Sequence, residues 1–177
     1  LRPALVLLSA KCLGSVNQAH IKIAAIVEMI HNATLLHDDV IDEAEMRRNN
    51  ATANSLAGNE AAVLLGDFML GKVFELSADI DSQQIHKKLA ETTTRICRGE
   101  LMQNLNRGNF KLSEPEYIRI VSDKTAAIFA CACHLAALAV NANSRQTKTL
   151  SDFGMNLGLA FQITDDILDI IGDENKM

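Results

Sequence analysis

Two groups of aspartates have the residue type and the spacing best suited to chemistry in this sequence. Each follows the pattern Asp-Asp-x-x-Asp, and the two groups are Asp38, Asp39 and Asp42, and Asp165, Asp166 and Asp169. In a helix the first and last carboxylates of each group project from the same face. Like charges at that spacing destabilise an isolated helix by roughly 0.2–0.5 kcal/mol, so a purely structural role explains them poorly.

A divalent cation is the chemistry that these carboxylates indicate. One group alone could equally be a solvent-exposed helix face, because charged side chains are mostly exposed. Two groups facing each other across a cavity would bring together carboxylates that cannot all remain ionised without cations. Oxygen ligands with open coordination positions suit Mg²⁺, which keeps several waters and shares its coordination shell with substrate phosphates.

A pair of arginines follows the first aspartate group. Arg47 and Arg48 lie in the stretch 43–58, which has lost the apolar periodicity of a helix and is predicted to be a loop. Guanidinium groups pair bidentately with phosphate, and a loop at the mouth of a cavity would allow this contact. A solvated basic pair without a ligand is the alternative.

Long helices are predicted to position these groups. Apolar residues recur at helical spacing, and only two prolines interrupt the chain. The predicted helices span residues 1–13, 17–41, 59–77, 81–106, 126–140 and 144–171, and a capping box at 113–116 predicts the start of a further helix. In the second helix the apolar residues also wrap around the circumference, which predicts a mostly buried helix roughly 35 Å long that leads to the first aspartate group.

The overall composition narrows the class of protein. A net charge of −5, with clustered acids and no basic patch, argues against nucleic acid as a partner. Residues 126–140 carry no charge but are shorter than the ~20 residues needed to span a bilayer, so we predict a core helix and no transmembrane segment. The four cysteines lack zinc-site spacing and are interpreted as reduced core thiols of a cytoplasmic protein.

Further motifs complete a family pattern. The chain contains HDDVID, the RR pair, LLGD at 64–67, GELMQ at 99–103, Lys124-Thr125 and FQITDDILD. In this order along the whole chain they resemble the trans-isoprenyl diphosphate synthases, or polyprenyl synthetases, in particular the long-chain octaprenyl type. The resemblance implies an all-α bundle of long, mostly antiparallel helices around a central substrate cavity. It also implies a homodimer, and that residues 1–177 form a single domain without the terminal parts of the family's full length.

The resemblance further implies a reaction and its metal. Isopentenyl diphosphate would condense head-to-tail with an allylic diphosphate, farnesyl or geranylgeranyl, to give an all-trans polyprenyl diphosphate. Three Mg²⁺ ions per active site would accompany the bound substrate and be held by the six aspartates. Asp38, Asp42 and Asp165 would be the principal metal ligands, with Asp39, Asp166 and Asp169 in support.

The other site residues are assigned by their places in the family motifs. Arg47 and Lys124 would serve the allylic diphosphate, and Arg2, His31 and Arg48 would bind isopentenyl diphosphate. Thr125 and Gln162 are further substrate-binding candidates. Plainer alternatives exist: Arg2 could be a frayed terminal residue, His31 a hydrogen-bonded core residue and Lys124 a charge at the start of a helix.

Several local features carry expectations of their own. Ala33 and Thr34 are small where the family places bulky residues to stop chain growth, which indicates a long product, although small residues could merely allow close helix packing. Asn49 replaces a usual glycine and can adopt the left-handed conformation. Gly154 and Gly158 predict close approach of another helix or of substrate.

Three additional residues of the family motifs are predicted to have supporting roles. Asp67 and Gln103 match positions that face the cavity and could instead cap or bridge helices. His37 is interpreted as structural, orienting the carboxylates rather than binding metal.

Three other functions compete with prenyl transfer. A terpene cyclase also ionises diphosphates between Asp-rich helices, but it needs no second diphosphate site. A ferritin-like di-metal bundle requires two Glu-x-x-His pairs, and only Glu28 to His31 has that spacing. A non-catalytic partner subunit could keep the fold and lose the chemistry, although the intact aspartate groups argue against it.

Overall fold

A computed structural model describes residues 1–171, and in this range the chain is almost entirely helical. The prediction of an all-α fold is confirmed. The helices are α1 (Arg2–Cys12), α2 (Gln18–Ile41), α3 (Ala53–Ala57), α4 (Asn59–Ala78), α5 (Gln83–Leu105), α6 (Glu114–Val121), α7 (Ala127–Leu138) and α8 (Ser144–Ile171), with a π-helical turn at Ser122–Ala126.

Helix α2 leads from the core to the first aspartate group. Its start is fixed by a reciprocal capping box, in which the side chains of Asn17 and His20 each accept a hydrogen bond from the other's backbone N–H. His20 also bonds the carbonyl of Ala136 through Nε2 at 3.1 Å, which ties this end to α7. Apolar side chains such as Ile23 and Ile26 are completely buried, as expected for a helix that packs against α1, α4 and α7.

The central apolar helix differs from the prediction at its start. Helices α6 and α7 form one continuous helix over Glu114–Leu138 through the π-helical turn, so Lys124 lies inside a helix and not at its N-terminus. The alternative of a helix-start charge is therefore wrong. By length and composition this helix could cross a membrane, but 83% of its apolar window is buried within the structure, as in a core helix.

Helix α8 begins at Ser144 as predicted and reaches Ile171, the last residue that the structure describes, and its two glycines do allow close packing. A Cβ added to Gly154 would lie 2.5 Å from the carbonyl oxygen of Phe129, and one added to Gly158 would lie 2.6 Å from Cα of Ala126. Both glycines therefore face α7 at contact distance, which confirms the expectation of a close helix approach.

Replacing Gly154 with alanine should destabilise the protein by about 1–3 kcal/mol, because the new methyl group overlaps rigid backbone of α7. Gly71→Ala is the matched control: it lies inside α4 with nothing within 4 Å of an added Cβ, and should stabilise by about 0.5–1 kcal/mol. Urea unfolding of both variants measures the two effects. A Gly154→Ala variant as stable as wild type would contradict the close packing.

The loop predicted over 43–58 is wrong in detail. It contains a two-stranded antiparallel hairpin, Met46–Arg47 paired with Asn50–Ala51, followed by α3. Arg48 and Asn49 form its turn with φ of 50° and 62°, the left-handed pair that a type I′ hairpin requires. Asn49 therefore adopts the conformation expected of it.

The prediction that the four cysteines are core thiols is confirmed for two of them and wrong for the other two. Cys131 and Cys133 lie buried in α7, whereas Cys12 and Cys97 are exposed. Cys97 lines the cavity described next.

Candidate active site

A cavity of about 810 Å³ opens between α2, α5, α8 and the hairpin, and it collects most of the predicted site residues. Those that line it are Arg2, His31, Thr34, Asp38, Asp42, Arg47, Arg48, Lys124, Thr125, Gln162, Asp165, Asp166 and Asp169. Apolar side chains, including Leu35, Ile128 and Phe161, line other parts of the same cavity. Both aspartate groups thus face one space that is part polar and part apolar.

Two predicted residues take other positions. Asp39 is buried, and its Oδ1 accepts bonds from the guanidinium of Arg47 at 2.6 and 2.8 Å. Successive helical residues are rotated by roughly 100°, so Asp39 turns away from the face that carries Asp38 and Asp42. It holds the hairpin arginine in place instead of lining the cavity. Ala33 is completely buried in the core, and of the proposed chain-length pair Thr34 lines the cavity.

The first aspartate group is held by protein cations. Lys124 Nζ lies 3.9 Å from Asp38 and 2.6 Å from Glu100, and Arg107 bonds Asp42. Within residues 1–171 no three acidic, histidine or cysteine side chains converge closely enough to form a preassembled metal site. The carboxylates nevertheless share one cavity and offer only oxygen donors, which is the donor set that Mg²⁺ prefers.

A chain of hydrogen bonds fixes the second aspartate group. The Thr125 hydroxyl donates to Gln162 at 2.9 Å, and the Gln162 amide donates to Asp166 at 2.8 Å. The Tyr117 hydroxyl donates to the other oxygen of Asp166 at 2.5 Å. Both oxygens of Asp166 therefore already accept a protein bond, whereas Asp165 and Asp169 are the members of this group that are free of such bonds in the described residues.

One polar part of the cavity is basic. The Arg2 guanidinium lies 4.7 Å above the Phe129 ring, and its buried Nε has no hydrogen-bond partner within residues 1–171. Burial lowers the pKa of Arg2 to about 10, because the charged form loses its hydration. Burial, with the nearby charges of Arg2 and Arg48, lowers the pKa of His31 to about 3, so the imidazole is neutral at pH 7. Glu28 supplies a negative charge near Arg2 that opposes this lowering of the pKa of Arg2, and its buried Oε2 also lacks a hydrogen-bond partner among the described residues. The Nε of Arg2 is therefore a donor that an anionic ligand could satisfy.

Asp38 is destabilised as a carboxylate in the metal-free protein. Burial raises its pKa to about 6 against the opposing effect of Lys124, and the charges of Glu100 and Asp42 raise it further. A carboxyl group with a higher pKa in the folded than in the unfolded protein lowers the free energy of unfolding at pH values above its folded pKa. For Asp38 this loss of stability disappears as the pH falls from about 6 towards 3.8, the pKa of the unfolded chain.

Asp38→Asn should therefore stabilise the metal-free protein at pH 7.5 by on the order of 2–3 kcal/mol, because the neutral amide carries no buried charge. The gain should fade between pH 6 and pH 4, where wild-type Asp38 is protonated. Urea unfolding in a chelator at pH 7.5 and pH 4 measures the difference. An equal gain at both pH values would contradict the shifted pKa.

Three residues that contact the site were missed from the sequence. Glu100 lies within the GELMQ motif, which signalled the segment but not this side chain. Arg107 and Tyr117 had no local signal, because their partners Asp42 and Asp166 are 65 and 49 residues away.

His37 and Asp67 contact one another outside the aspartate groups. His37 Nε2 lies 3.2 Å from the carbonyl oxygen of Val63 and 3.5 Å from Asp67, and its ring fills the space above Gly66. The histidine joins α2 to α4 and also lines the cavity, in keeping with a structural role. Among the described residues its polar contacts are with Val63 and Asp67 and not with the two aspartate groups. Gln103 lines the cavity as expected.

Comparison with known proteins gives one consistent result. The polyprenyl synthetase family matches residues 1–177. Octaprenyl diphosphate synthase of Escherichia coli is 38% identical over 177 residues, which is all of this chain and 55% of that protein. The Haemophilus influenzae octaprenyl diphosphate synthase is 43% identical over 169 residues, 96% of this chain and 51% of that protein. The chain thus spans about half the length of these curated relatives.

A solved structure agrees with the fold. It is the polyprenyl synthase from Caulobacter crescentus complexed with calcium and isoprenyl diphosphate, and it superposes with a TM-score of 0.94 at 38% identity. The superposition covers 98% of this chain and 53% of that one. With an all-α fold, two Asp-Asp-x-x-Asp groups on one cavity and a family match over its whole length, this chain belongs to the polyprenyl synthetase family.

Proposed function

We propose that the protein is a magnesium-dependent prenyltransferase that condenses isopentenyl diphosphate head-to-tail with an allylic diphosphate, farnesyl or geranylgeranyl. The observation that carries the proposal is the placement of both aspartate groups and a separate arginine and histidine group on one cavity. Two diphosphates require two anion sites, and the cavity offers two sets of cations. A terpene cyclase would have no use for the second set.

The first set serves the allylic diphosphate. Asp38, Asp42, Asp165 and Asp169 would hold Mg²⁺, which would supply positive charge to offset the negative charge that develops on the leaving diphosphate. Three ions per site is the number that the family resemblance implies. Lys124 and Arg47 line the same region and supply fixed positive charge, with Asp39 restraining Arg47 from behind. Thr125 donates a hydrogen bond to Gln162, which in turn donates to Asp166 and fixes it at the side of the same region.

The second set serves isopentenyl diphosphate. Arg2 and Arg48 offer guanidinium forks, and neutral His31 can donate one N–H without adding a third positive charge. The unpartnered Nε of Arg2 is the donor that a diphosphate oxygen would satisfy. The cost of leaving that buried donor unpaired, roughly 1–3 kcal/mol, would be recovered when the substrate binds.

The apolar part of the cavity suits the prenyl chains. Leu35, Ile128 and Phe161 exclude water from the allylic cation that ionisation produces, and the isopentenyl double bond then attacks it. No protein nucleophile is needed, and the released diphosphate can take the proton that is lost. Thr34 leaves room beyond the aspartates, which supports a long product.

Product analysis tests the proposal. The protein is incubated with farnesyl diphosphate, labelled isopentenyl diphosphate and Mg²⁺, and the extracted products are sized. Products well beyond twenty carbons are expected for an open tunnel past Thr34. Products of twenty carbons or fewer would overturn the long-chain assignment, and no Mg²⁺-dependent incorporation would favour a non-catalytic partner subunit.

An exposed apolar face supports a homodimer. Leu64, Phe68 and Phe74 of α4 are 66%, 63% and 71% exposed, on a helix whose other side packs on α2. Contiguous apolar surface of this kind marks an interaction site in most proteins. A second copy that buries this face is the occupant we propose, and sedimentation should give twice the chain mass. A monomer at micromolar concentration would contradict it.

A further inference from the structure

Asp123 is a buried carboxylate close to the cavity that the proposed reaction does not use. It lies in the π-helical turn between α6 and α7, immediately before Lys124. Its side chain is 8% exposed, so its charge requires partners within the protein. Neither the family motifs nor the proposed function gives it a role.

Two arginines of α5 donate hydrogen bonds to this carboxylate. Arg95 donates to Oδ1 through Nε and Nη2 at 2.9 and 2.8 Å, and Arg98 donates to Oδ2 through Nε and Nη2 at 2.8 and 2.5 Å. Burial alone would raise the pKa of Asp123, but the bonds from Arg98 and Arg95 outweigh it and hold the pKa below its ordinary value. The carboxylate is therefore ionised, and both of its oxygens are fixed.

Helix α5 also contacts the π-helical turn directly. A Cβ at Gly99 would overlap the backbone nitrogen of Lys124 and lie 2.7 Å from its Cα. The next residue, Glu100, lies 2.6 Å from Lys124 Nζ. Helix α5 thus contacts two side chains of the π-helical turn, the carboxylate of Asp123 and the ammonium of Lys124.

We propose that Asp123 is a positioning residue: with Arg95 and Arg98 it anchors the π-helical turn to α5, so that Lys124 points into the cavity at the place where diphosphate binds. The inserted residue of a π-helical turn changes the direction of the side chains around it, and such turns are frequent at functional sites. Without a long-range anchor the segment could relax to a regular helix. The proposal rests on the assignment of Lys124 to the diphosphate.

A double-mutant cycle tests the proposal, with Asp123→Asn, Lys124→Ala and the combination. Misplacing a catalytic group by about 1 Å can cost about a hundredfold in rate, so Asp123→Asn should lower kcat/KM by about ten- to a hundredfold. In the Lys124→Ala background the same substitution should change kcat/KM by less than about twofold, because effects through a shared group do not add. An equal loss in both backgrounds would overturn the proposal, since a general structural defect acts without Lys124.

Calorimetry also gives the affinity of the wild type and the same three variants for inorganic diphosphate in the presence of Mg²⁺. This second cycle does not depend on turnover. If wild type transfers no prenyl group but binds diphosphate, the proposed function fails and the affinity cycle still decides the role of Asp123. If wild type binds no diphosphate, both are overturned. Lys22→Gln removes the exposed ion pair with Asp79 and should leave both cycles unchanged.

Variants with a milder effect on folding test the proposal if Asp123→Asn does not fold. Arg98→Gln and Arg95→Gln each leave the other arginine in place, and each should lower kcat/KM less than Asp123→Asn does. Arg98→Lys keeps the charge but loses the two-pronged contact, so it should restore part of the activity lost in Arg98→Gln. Wild-type kinetics in both glutamine variants would overturn the proposal.

Discussion

Asp38→Asn should lower the rate of prenyl transfer by at least about 10²–10³-fold, the loss typical of removing one electrostatic stabiliser of a transition state. The amide keeps the shape of the carboxylate but loses the charge that would hold Mg²⁺ and interact with Lys124. Because the same substitution is expected to stabilise the metal-free protein, the loss of rate cannot result from unfolding. Under the proposed function, the Asp38 carboxylate would lower the stability of the metal-free protein and supply a charge that catalysis requires.

Steady-state kinetics at saturating Mg²⁺ measures this loss. Asp79→Asn is the matched control, since Asp79 follows α4, is exposed and pairs only with Lys22 among the described residues. It should leave kcat within about twofold of wild type, because isolated surface pairs contribute little. A comparable loss in both variants, or none in Asp38→Asn, would contradict the assigned site.

Phe129→Ala should destabilise the protein by about 3–5 kcal/mol, a large part of the 5–15 kcal/mol that holds a typical domain folded. The ring is completely buried, packs against Phe161 at 5.6 Å between centroids and lies beneath the guanidinium of Arg2. Its removal leaves a cavity where α7 and α8 approach most closely. It also removes the support of a proposed substrate-binding arginine.

Urea unfolding of Phe129→Ala and Phe110→Ala measures the effect of burial for the same change of side chain. Phe110 is fully exposed between α5 and α6, so its replacement should change stability by no more than about 0.5 kcal/mol. Similar losses in the two variants would mean that Phe129 is not part of a packed core.

The long helices and the aspartate pattern could be predicted from the sequence because both depend on local spacing. Helix α8 begins at Ser144 as predicted, and apolar residues recur along it from Leu150 onwards. The shared face of Asp38 and Asp42 follows from helix geometry alone. The same geometry turns Asp39 to another face, and only the hairpin, which folds back to bring Arg47 to it, shows what that face contacts.

Features that depend on distant contacts could not be predicted in this way. The residues Ser122–Ala126 have nothing in their composition that separates a π-helical turn from an ordinary helix, and the arginines that grip Asp123 lie 28 and 25 residues earlier in the chain. The bond from Tyr117 to Asp166 likewise joins α6 to α8. Sequence periodicity identifies a helix and its buried face, whereas the partner of each polar side chain is decided by packing.

The two aspartate groups are proposed to bind one diphosphate together through Mg²⁺. Calorimetric titration of the protein with farnesyl diphosphate, with Mg²⁺ and with a chelator, tests it most directly when repeated on Asp38→Asn and Asp165→Asn. Binding should require Mg²⁺ and should weaken at least about tenfold in each variant, because each removes a ligand from the shared metal ions. Binding that is unchanged by the chelator, or that depends on only one of the two groups, would contradict the claim.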